Sequence, residues 1–362
     1  MTHADLPQAL VTGGTIGILG GGQLGRMLSV AAARLGYRTH IYDPGAHPPA
    51  GQVAQDVTTA AFDDVAALER FAAMVDIITY EFENIPTRAL DLLQDRRPIN
   101  PGRQALWVSQ DRLVEKRFLR DLGLATAPFV PVASPEDLTA ALAQVGMPSI
   151  LKTRRFGYDG KGQARIDSPD DAAAAWDAVA GAKSILEGHV NFSAEISVIA
   201  ARGQSGEVVC YDPGLNVHKG GILRTTTVPA PITAAQRTDA VLLAGRILNE
   251  LDYVGVLGVE LFVTEDGLVV NEIAPRVHNS GHWTQNGCTV DQFEQHIRAV
   301  AGLPLGDGTR VADVVMENLL GPDVKRLPDL LREPDVSVHL YGKDVIKVGR
   351  KMGHINRVTP RG

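Results

Sequence analysis

Two glutamates stand at matching positions of two apolar runs that a tight turn separates. The runs Leu257–Val263 and Leu268–Ile273 predict a hairpin with a three-residue loop, and this register places Glu260 opposite Glu272. Facing carboxylates among apolar neighbours repel each other and are costly to bury, unless a divalent cation lies between them. Few protein ligands, all of them oxygen, favour Mg²⁺ completed by phosphate and water. The alternative is a register shifted by one residue or a solvated face, and Asn271 joins this face only through a local bulge.

A dense group of hydrogen-bond donors follows the second strand directly, over residues 274–286. Arg276 is suited to bidentate binding of a small planar oxyanion, and His278 and Asn279 are placed to orient the same group. A single histidine in such a loop is more often a structural hydrogen-bonding residue, so that alternative stays open.

A glycine-rich, basic loop follows an apolar strand that ends at Lys152. The loop 154–162 carries three glycines and three basic residues, which favours a flap over phosphates, because glycine lets backbone N–H groups approach oxygen and the cations neutralise charge. The pattern is not G-x-x-x-x-G-K-[ST], so a P-loop is excluded. An ordinary basic hairpin turn is the alternative.

A second glycine motif lies near the N-terminus. Gly20, Gly22 and Gly25 satisfy G-x-G-x-x-G between a strand and a helix, and Asp43 ends the next strand. This pattern is typical of dinucleotide binding and allows an NAD-dependent dehydrogenase. It is equally compatible with a tight turn that binds nothing, or with backbone N–H groups that hold another phosphate.

The elements that must position these residues form several units. Strands and helices alternate up to about residue 109, which predicts a parallel α/β sheet of Rossmann-like type. Short glycine-bounded strands then predict an α+β region, with helices that begin at the Ser134 cap and at a capping box of Thr233 and Gln236. We expect an N-terminal extension (1–14), a Rossmann-like domain (15–109), a central domain (110–303, with a lid at about 150–190) and a small mixed C-terminal subdomain (304–362).

The composition excludes several classes of protein. The 362 residues carry a net charge of −7 and 44% apolar residues, which argues against a disordered chain and against a general affinity for nucleic acid or anionic membranes. Two cysteines cannot form a disulfide framework, and no secretory signal or apolar run of membrane-spanning length is present. We expect a cytoplasmic protein.

Five segments carry a resemblance to a known family. They are GGGQLGRML (20–28), TYEFENI (79–85), GYDGKGQ (157–163), ILRT (222–225) and NEIAPRVHNSGHWTQNG (271–287). With them the sequence resembles the N5-carboxyaminoimidazole ribonucleotide synthetases, which are ATP-grasp ligases of purine synthesis. The resemblance implies a Rossmann-like domain, an ATP-grasp module with a mobile lid, and a small C-terminal subdomain. It also implies a homodimer, and ATP and Mg²⁺ as cofactors.

The resemblance further implies a role for individual residues. The nucleotide contacts would be Arg112, Lys152, Gly157, Tyr158, Asp159, Gly160, Lys161, Gly162, Gln163, Glu187, Gly188, His189, Val190, Glu195, His218, Asn271 and Glu272. The Mg²⁺ ligands would be Glu260 and Glu272. Aminoimidazole ribonucleotide would contact Gln23, Leu24, Glu81, Tyr158, Asp159, Arg276, Lys343 and Arg350.

The implied reaction is ATP-dependent carboxylation of that ribonucleotide through carboxyphosphate. Lys152 would hold phosphates, and bicarbonate would bind to Arg276, His278 and Asn279, while Asp159 or the released phosphate accepts the amine proton. The alternatives are another ATP-grasp ligase, such as the formate-dependent glycinamide ribonucleotide transformylase, the dehydrogenase, and a nucleotide sensor without turnover.

Overall fold

The computed structural model describes residues 9–157 and 160–361. The first unit is a parallel sheet of strand order β3-β2-β1-β4 with helices on its faces. The prediction of an α/β unit is therefore confirmed. Its elements are β1 (Thr15–Leu19), α1 (Gln23–Arg34), β2 (Arg38–Asp43), β3 (Asp56–Thr59), α2 (Val65–Ala73), β4 (Ile77–Tyr80), α3 (Thr87–Gln94) and α4 (Arg103–Ser109).

The second sheet is small and antiparallel, with strand order β5-β8-β6-β7. Ser134 caps the helix Pro135–Val145 by accepting a hydrogen bond from the Asp137 backbone, as its position before Pro135 predicts. The elements here are α5 (Arg112–Asp121), β5 (Phe129–Val132), α6 (Pro135–Val145), β6 (Ser149–Thr153), β7 (Gln163–Ile166), α7 (Ala172–Ala178) and β8 (Ser184–Gly188).

The third sheet is the largest, and in the described residues it has the order β14-β13-β9-β11-β12-β15-β17-β16, with β10 paired to β9. Its first part contains β9 (Ala194–Arg202), β10 (Val208–Cys210), β11 (Gly214–Lys219), β12 (Ile222–Val228), α8 (Ala234–Glu250), β13 (Gly255–Thr264), β14 (Gly267–Ala274), α9 (Thr284–Gly287) and α10 (Gln292–Val300). The rest are β15 (Ala312–Leu320), α11 (Leu327–Leu330), β16 (Val336–Leu340) and β17 (Lys351–Pro360). The last strands extend the central sheet, because β15 pairs with β12.

Helix α8 covers one face of this large sheet. The predicted capping box is present, since Thr233 and Gln236 bond reciprocally at its start. Its buried residues Ala244 and Ile247 pack with apolar side chains of β9 and β13 in one hydrophobic cluster. In the part of the chain that the structure describes, none of the helices is long and apolar enough to cross a membrane.

The predicted hairpin forms, but its turn differs from the expected one. Thr264 pairs with Gly267, so the loop has two residues rather than three, and Gly267 is the first residue of β14 with φ +126°. A bulge at Asn271 then shifts the register by one residue, so that Glu260 does pair with Glu272. The two deviations have opposite effects on the pairing, which is why the predicted pairing of the glutamates is nevertheless confirmed.

Candidate active site

A cavity of about 950 Å³ opens between the small and the large antiparallel sheets and reaches the glycine turn after β1. Most predicted site residues line it: Gln23, Leu24, Glu81, Arg112, Lys152, Gly157, Gly160, Lys161, Gln163, Glu187, Gly188, His189, Val190, Glu195, His218, Glu260, Asn271, Glu272, Arg276, His278 and Asn279. Gly162, Lys343 and Arg350 are not among the described lining residues, and Tyr158 and Asp159 lie outside the described residues.

The facing glutamates form the acidic wall of this cavity. Burial and the neighbouring Glu272 raise the pKa of Glu260 to about 7. Partial burial opposes ionisation of Glu272, but Arg112, whose Nη1 donates to Glu272 Oε2 at 2.9 Å, holds the pKa of that carboxyl at about 2. Like charges in a low-dielectric site cannot both ionise cheaply, so this pair is suited to receive a cation.

The side-chain oxygens of Glu260, Glu272 and Asn271 can hold Mg²⁺ only together with further oxygen ligands. Asn271, released by the bulge, turns its side-chain amide towards Glu260, with Nδ2 3.5 Å from Oε2. No group of three or more His, Cys, Asp or Glu side chains in residues 9–157 and 160–361 could hold a metal ion. Two carboxylates and a carboxamide oxygen are the oxygen-rich, incomplete set that Mg²⁺ shares with phosphates and water.

Three side chains of α5 contact the strand that carries Glu272. Arg112, Glu115 and Lys116 are spaced i, i+3 and i+4, which places them on one face of the helix. Glu115 Oε1 accepts a hydrogen bond from the Ile273 N–H at 2.7 Å, and Lys116 Nζ donates to the Asn271 carbonyl at 2.8 Å. The helix therefore satisfies outer backbone groups of β14, which is the edge strand, at Asn271 and Ile273.

Lys152 reaches the cavity from β6 and forms an ion pair within it. Its Nζ lies 2.9 Å from Glu187 Oε2, so the anionic partner expected for this lysine is in part a protein carboxylate. Burial favours the neutral form of Glu187, but Lys152 and Lys116 hold its pKa at about 2. Val190, an implied nucleotide contact, lies two residues beyond the end of β8 at Gly188.

The wall that faces Lys152 is formed by the large sheet, and it carries a polar pair and an aromatic pair. His218 Nδ1 lies 2.5 Å from Glu195 Oε2. Burial alone would lower the pKa of His218, but this hydrogen bond raises it. Phe192 stacks on Phe262 with ring centroids 4.6 Å apart, and both line the cavity. A flat base and a ribose with two hydroxyls are the ligand groups that such a wall can accept.

The first glycine turn is closed by protein carboxylates. Gly22 N–H donates to Glu81 Oε1 at 2.6 Å, and Gly21 N–H donates to Asp43 Oδ2 at 2.7 Å. A Cβ at Gly22 would lie only 2.7 Å from Glu81 Oε1, so glycine is required for this close approach. Glu81 thus occupies the place that a dinucleotide pyrophosphate would need, which argues against the dehydrogenase.

The donor cluster after β14 is held by several contacts. Arg276 Nη2 donates to Glu83 Oε2 at 2.7 Å. His278 Nδ1 lies 2.8 Å from Ser280 Oγ, and burial together with Arg276 lowers the pKa of His278 to about 3, so this imidazole is neutral.

Asn279, which the resemblance assigns to bicarbonate, has a protein partner for its side chain. Its side-chain amide exchanges two hydrogen bonds with Asn318 of β15, at 2.9 and 2.7 Å. Although Asn279 lines the cavity, its amide holds the loop to the C-terminal strand in this structure.

Several residues of the site were missed from the sequence. Glu83 was part of the motif TYEFENI, whereas Lys116 was recognisable only by its helical spacing from Arg112. Lys351 lines the cavity, while its neighbour Arg350 donates to the Val345 carbonyl at 2.9 Å and Lys343 donates to the Lys351 carbonyl at 2.7 Å. Residue type and position along the chain could not separate these neighbouring cations.

Comparison with known families agrees with this geometry. Residues 14–110 match the ribonucleotide synthetase preATP-grasp domain, residues 117–293 match the ATP-grasp domain, and residues 314–361 match the phosphoribosylaminoimidazole carboxylase C-terminal domain. Two antiparallel sheets around a cavity with paired carboxylates and the matched domains define an ATP-grasp ligase.

Individual relatives narrow this class. The N5-carboxyaminoimidazole ribonucleotide synthase of Brucella melitensis is 54% identical over 356 residues, covering 98% of both chains. A Staphylococcus aureus N5-carboxyaminoimidazole synthetase complexed with ADP is 38% identical, with TM-score 0.93 and coverage of 98% of this chain and 95% of that one. The Aspergillus clavatus synthase in complex with ADP and 5-aminoimidazole ribonucleotide is 32% identical, with TM-score 0.91 and coverage of 96% and 94%. The chain belongs to the N5-carboxyaminoimidazole ribonucleotide synthase family.

Proposed function

We propose that this chain catalyses the ATP- and bicarbonate-dependent carboxylation of 5-aminoimidazole ribonucleotide to N5-carboxyaminoimidazole ribonucleotide in purine synthesis. The observation that carries the proposal is a single cavity lined by the acidic pair Glu260 and Glu272, by Arg276 and His278, and by Glu81 at the first glycine turn. Membership of the synthase family supports it, because relatives in that family bind ADP, ATP or the ribonucleotide.

ATP is proposed to bind between the two antiparallel sheets. Phe262 and the backbone of 187–190 accept the adenine, Glu195 takes the ribose hydroxyls, and Lys152 with the flap 157–163 binds the phosphates. Glu260 and Glu272 would hold Mg²⁺, with Asn271 beside them, and a bound ion would supply positive charge to the transferring phosphoryl group. Tyr158 and Asp159 belong to the same proposed lid, outside the described residues.

Bicarbonate is proposed to bind beside His278, where Arg276 faces the cavity. An oxygen of bicarbonate attacks the γ-phosphorus, the bond from phosphorus to the bridging ADP oxygen breaks, and carboxyphosphate and ADP form. Arg276 balances the charge on the carboxylate, and neutral His278 donates a hydrogen bond rather than a proton.

The substrate amine then attacks the carboxyl carbon, directly or after carboxyphosphate has released CO2, and inorganic phosphate leaves. The proton lost by the amine goes to phosphate or to Asp159. Positioning dominates this catalysis, because the reactive intermediate must meet the amine before it meets water. The ribonucleotide is proposed to contact Gln23, Leu24 and Glu81, with Lys343 and Arg350 near its 5′-phosphate.

The experiment is ADP formation with the ribonucleotide, with bicarbonate, with both and with neither. The proposal expects full turnover only with both, and formate in place of bicarbonate should not support it. Turnover with formate and glycinamide ribonucleotide would instead indicate the transformylase, and binding of ATP without turnover under every condition would indicate a sensor.

We also propose that the boundaries near residues 14, 109 and 303 separate the units, and that the protein is a cytoplasmic homodimer. The free thiols of Cys210 and Cys288 support a reducing compartment. Light scattering of the purified chain measures the oligomeric state.

A further inference from the structure

A buried lysine lies behind the nucleotide cavity, outside its described lining. The Lys116 side chain is 1% exposed, on the face of α5 that points between the small sheet and β14. Nζ lies 2.8 Å from the Asn271 carbonyl, 3.4 Å from the Val270 carbonyl and 3.6 Å from Glu187 Oε2. The two carbonyls accept hydrogen bonds from Nζ, and Glu187 Oε2 lies within ion-pair distance. Burial lowers the pKa of Lys116, but the carboxylate of Glu187 opposes this shift and favours the ammonium form.

The same carboxylate oxygen also binds the lysine of the cavity. Glu187 is 3% exposed, and its Oε2 lies 2.9 Å from Lys152 Nζ, whose side chain is 11% exposed and lines the cavity. The three groups form a Lys116–Glu187–Lys152 cluster of two positive charges and one negative charge. The cluster has a net charge of +1, and its most exposed member, Lys152, is the one that lines the cavity.

The charge of Lys116 determines how much net positive charge this cluster presents to a ligand in the cavity. Without its ammonium, Glu187 would offset the charge of Lys152 completely, and the cluster would present no net charge to an anionic ligand. Coulomb interactions are weakly screened in a buried site, so a charge behind the first layer still acts on the ligand.

We propose that Lys116 is a positioning residue for ATP, because it takes up the charge of Glu187 and thereby keeps the charge of Lys152 available to the triphosphate. The same ammonium binds the carbonyl of Asn271, the bulged residue next to Glu272, and so links the two walls of the nucleotide cavity. The inference rests on the proposed function for the identity of the anion.

The test compares Lys116→Met with the double variant Lys116→Met/Glu187→Gln. In the single variant the cluster is neutral. Its affinity for the Mg²⁺ complex of a non-hydrolysable ATP analogue should therefore be at least about tenfold lower than that of wild type. The double variant restores the net charge of +1 and should bind the analogue at least about threefold more tightly than Lys116→Met does. Affinity for 5-aminoimidazole ribonucleotide should be the same in all three proteins, and calorimetry measures both ligands.

A purely structural role predicts a different pattern. If Lys116 only satisfies the strand carbonyls, the double variant binds the analogue no better than Lys116→Met, and that result overturns the proposal, as does unchanged affinity of the single variant. Thermal unfolding of each variant identifies loss of fold, and Lys116→Arg, which keeps the charge, should retain binding better than Lys116→Met. Wild-type turnover tests the proposed function separately, because it does not depend on either variant.

Discussion

Glu260 lies opposite Glu272 because a two-residue turn and a bulge at Asn271 shift the strand register by one residue in opposite directions. Arg112 pairs with Glu272 alone, so one carboxyl of the pair stays ionised while the pKa of the other is raised to about 7. The bulge also exposes the Asn271 side chain to the same cavity and its carbonyl to Lys116. One irregular residue therefore determines both the ligand pair and its support.

Replacing Glu272 by Gln should weaken Mg²⁺-dependent binding of a non-hydrolysable ATP analogue at least about tenfold, because a charged oxygen ligand is lost. Calorimetry with and without Mg²⁺ measures the effect. Glu265→Gln makes the same chemical change at the exposed turn of the same hairpin and should leave binding unaltered. Equal affinity of Glu272→Gln and wild type would contradict the assignment of the metal pair.

Replacing Arg276 by Ala should reduce bicarbonate-stimulated ATP cleavage about 100-fold or more, since the cation that balances the carboxylate is removed. Affinity for the ATP analogue should stay within about twofold, because Arg276 is paired with Glu83 and is not one of the residues proposed to bind ATP. Arg332→Ala, at a 76% exposed arginine, is the matched control. Carboxylation at nearly the wild-type rate would show that Arg276 does not hold bicarbonate.

Replacing Glu81 by Gln should raise KM for 5-aminoimidazole ribonucleotide about tenfold and leave KM for ATP unchanged, because a charged acceptor at the first glycine turn becomes a neutral amide. Steady-state kinetics with each substrate varied separately measure both constants. Glu69→Gln, on the exposed face of α2, serves as control. An equal rise in both constants would indicate general damage to the fold. In a separate test of the dehydrogenase alternative, the fluorescence of NADH should not change when wild type or either variant is added.

His296 predicts a dependence of stability on pH. Val256 N–H donates to Nδ1 at 3.0 Å, so Nε2 carries the proton and faces Thr79 Oγ1 at 2.8 Å, which joins α10 to β13 and β4. Burial lowers the pKa of this histidine from 6.5 to about 3. The folded state therefore keeps it neutral, and its contribution to stability is complete above pH 6.5 and is lost as the pH falls towards 3.

The expected slope follows from this shift. Below pH 6.5, each fall of one pH unit should lower the free energy of unfolding of wild type by about 1.4 kcal/mol more than that of His296→Gln. Urea unfolding of both proteins at about pH 7 and about pH 5.5 measures the difference. Parallel losses of stability in the two proteins would mean that other groups account for the acid sensitivity.

Local pattern was sufficient for most elements. The helix caps at Ser134 and Thr233 lie where predicted, and so do the strand and the helix that flank the first glycine turn. Capping and hydrophobic periodicity act between residues close in the chain, which is why these elements could be predicted. Even the pairing of Glu260 with Glu272 followed from the hairpin, although the turn was wrong by one residue.

The sequence by itself determined the order of the elements, the glycine turns and the residue types available for binding, since these depend on short-range sterics and hydrogen bonding. Only the tertiary structure decided which partner each charged or polar group finds: Glu83 for Arg276, Asn318 for Asn279, and Glu187 shared by two lysines. These contacts join residues 35 to 193 positions apart, and their formation depends on how three sheets pack together rather than on any local pattern.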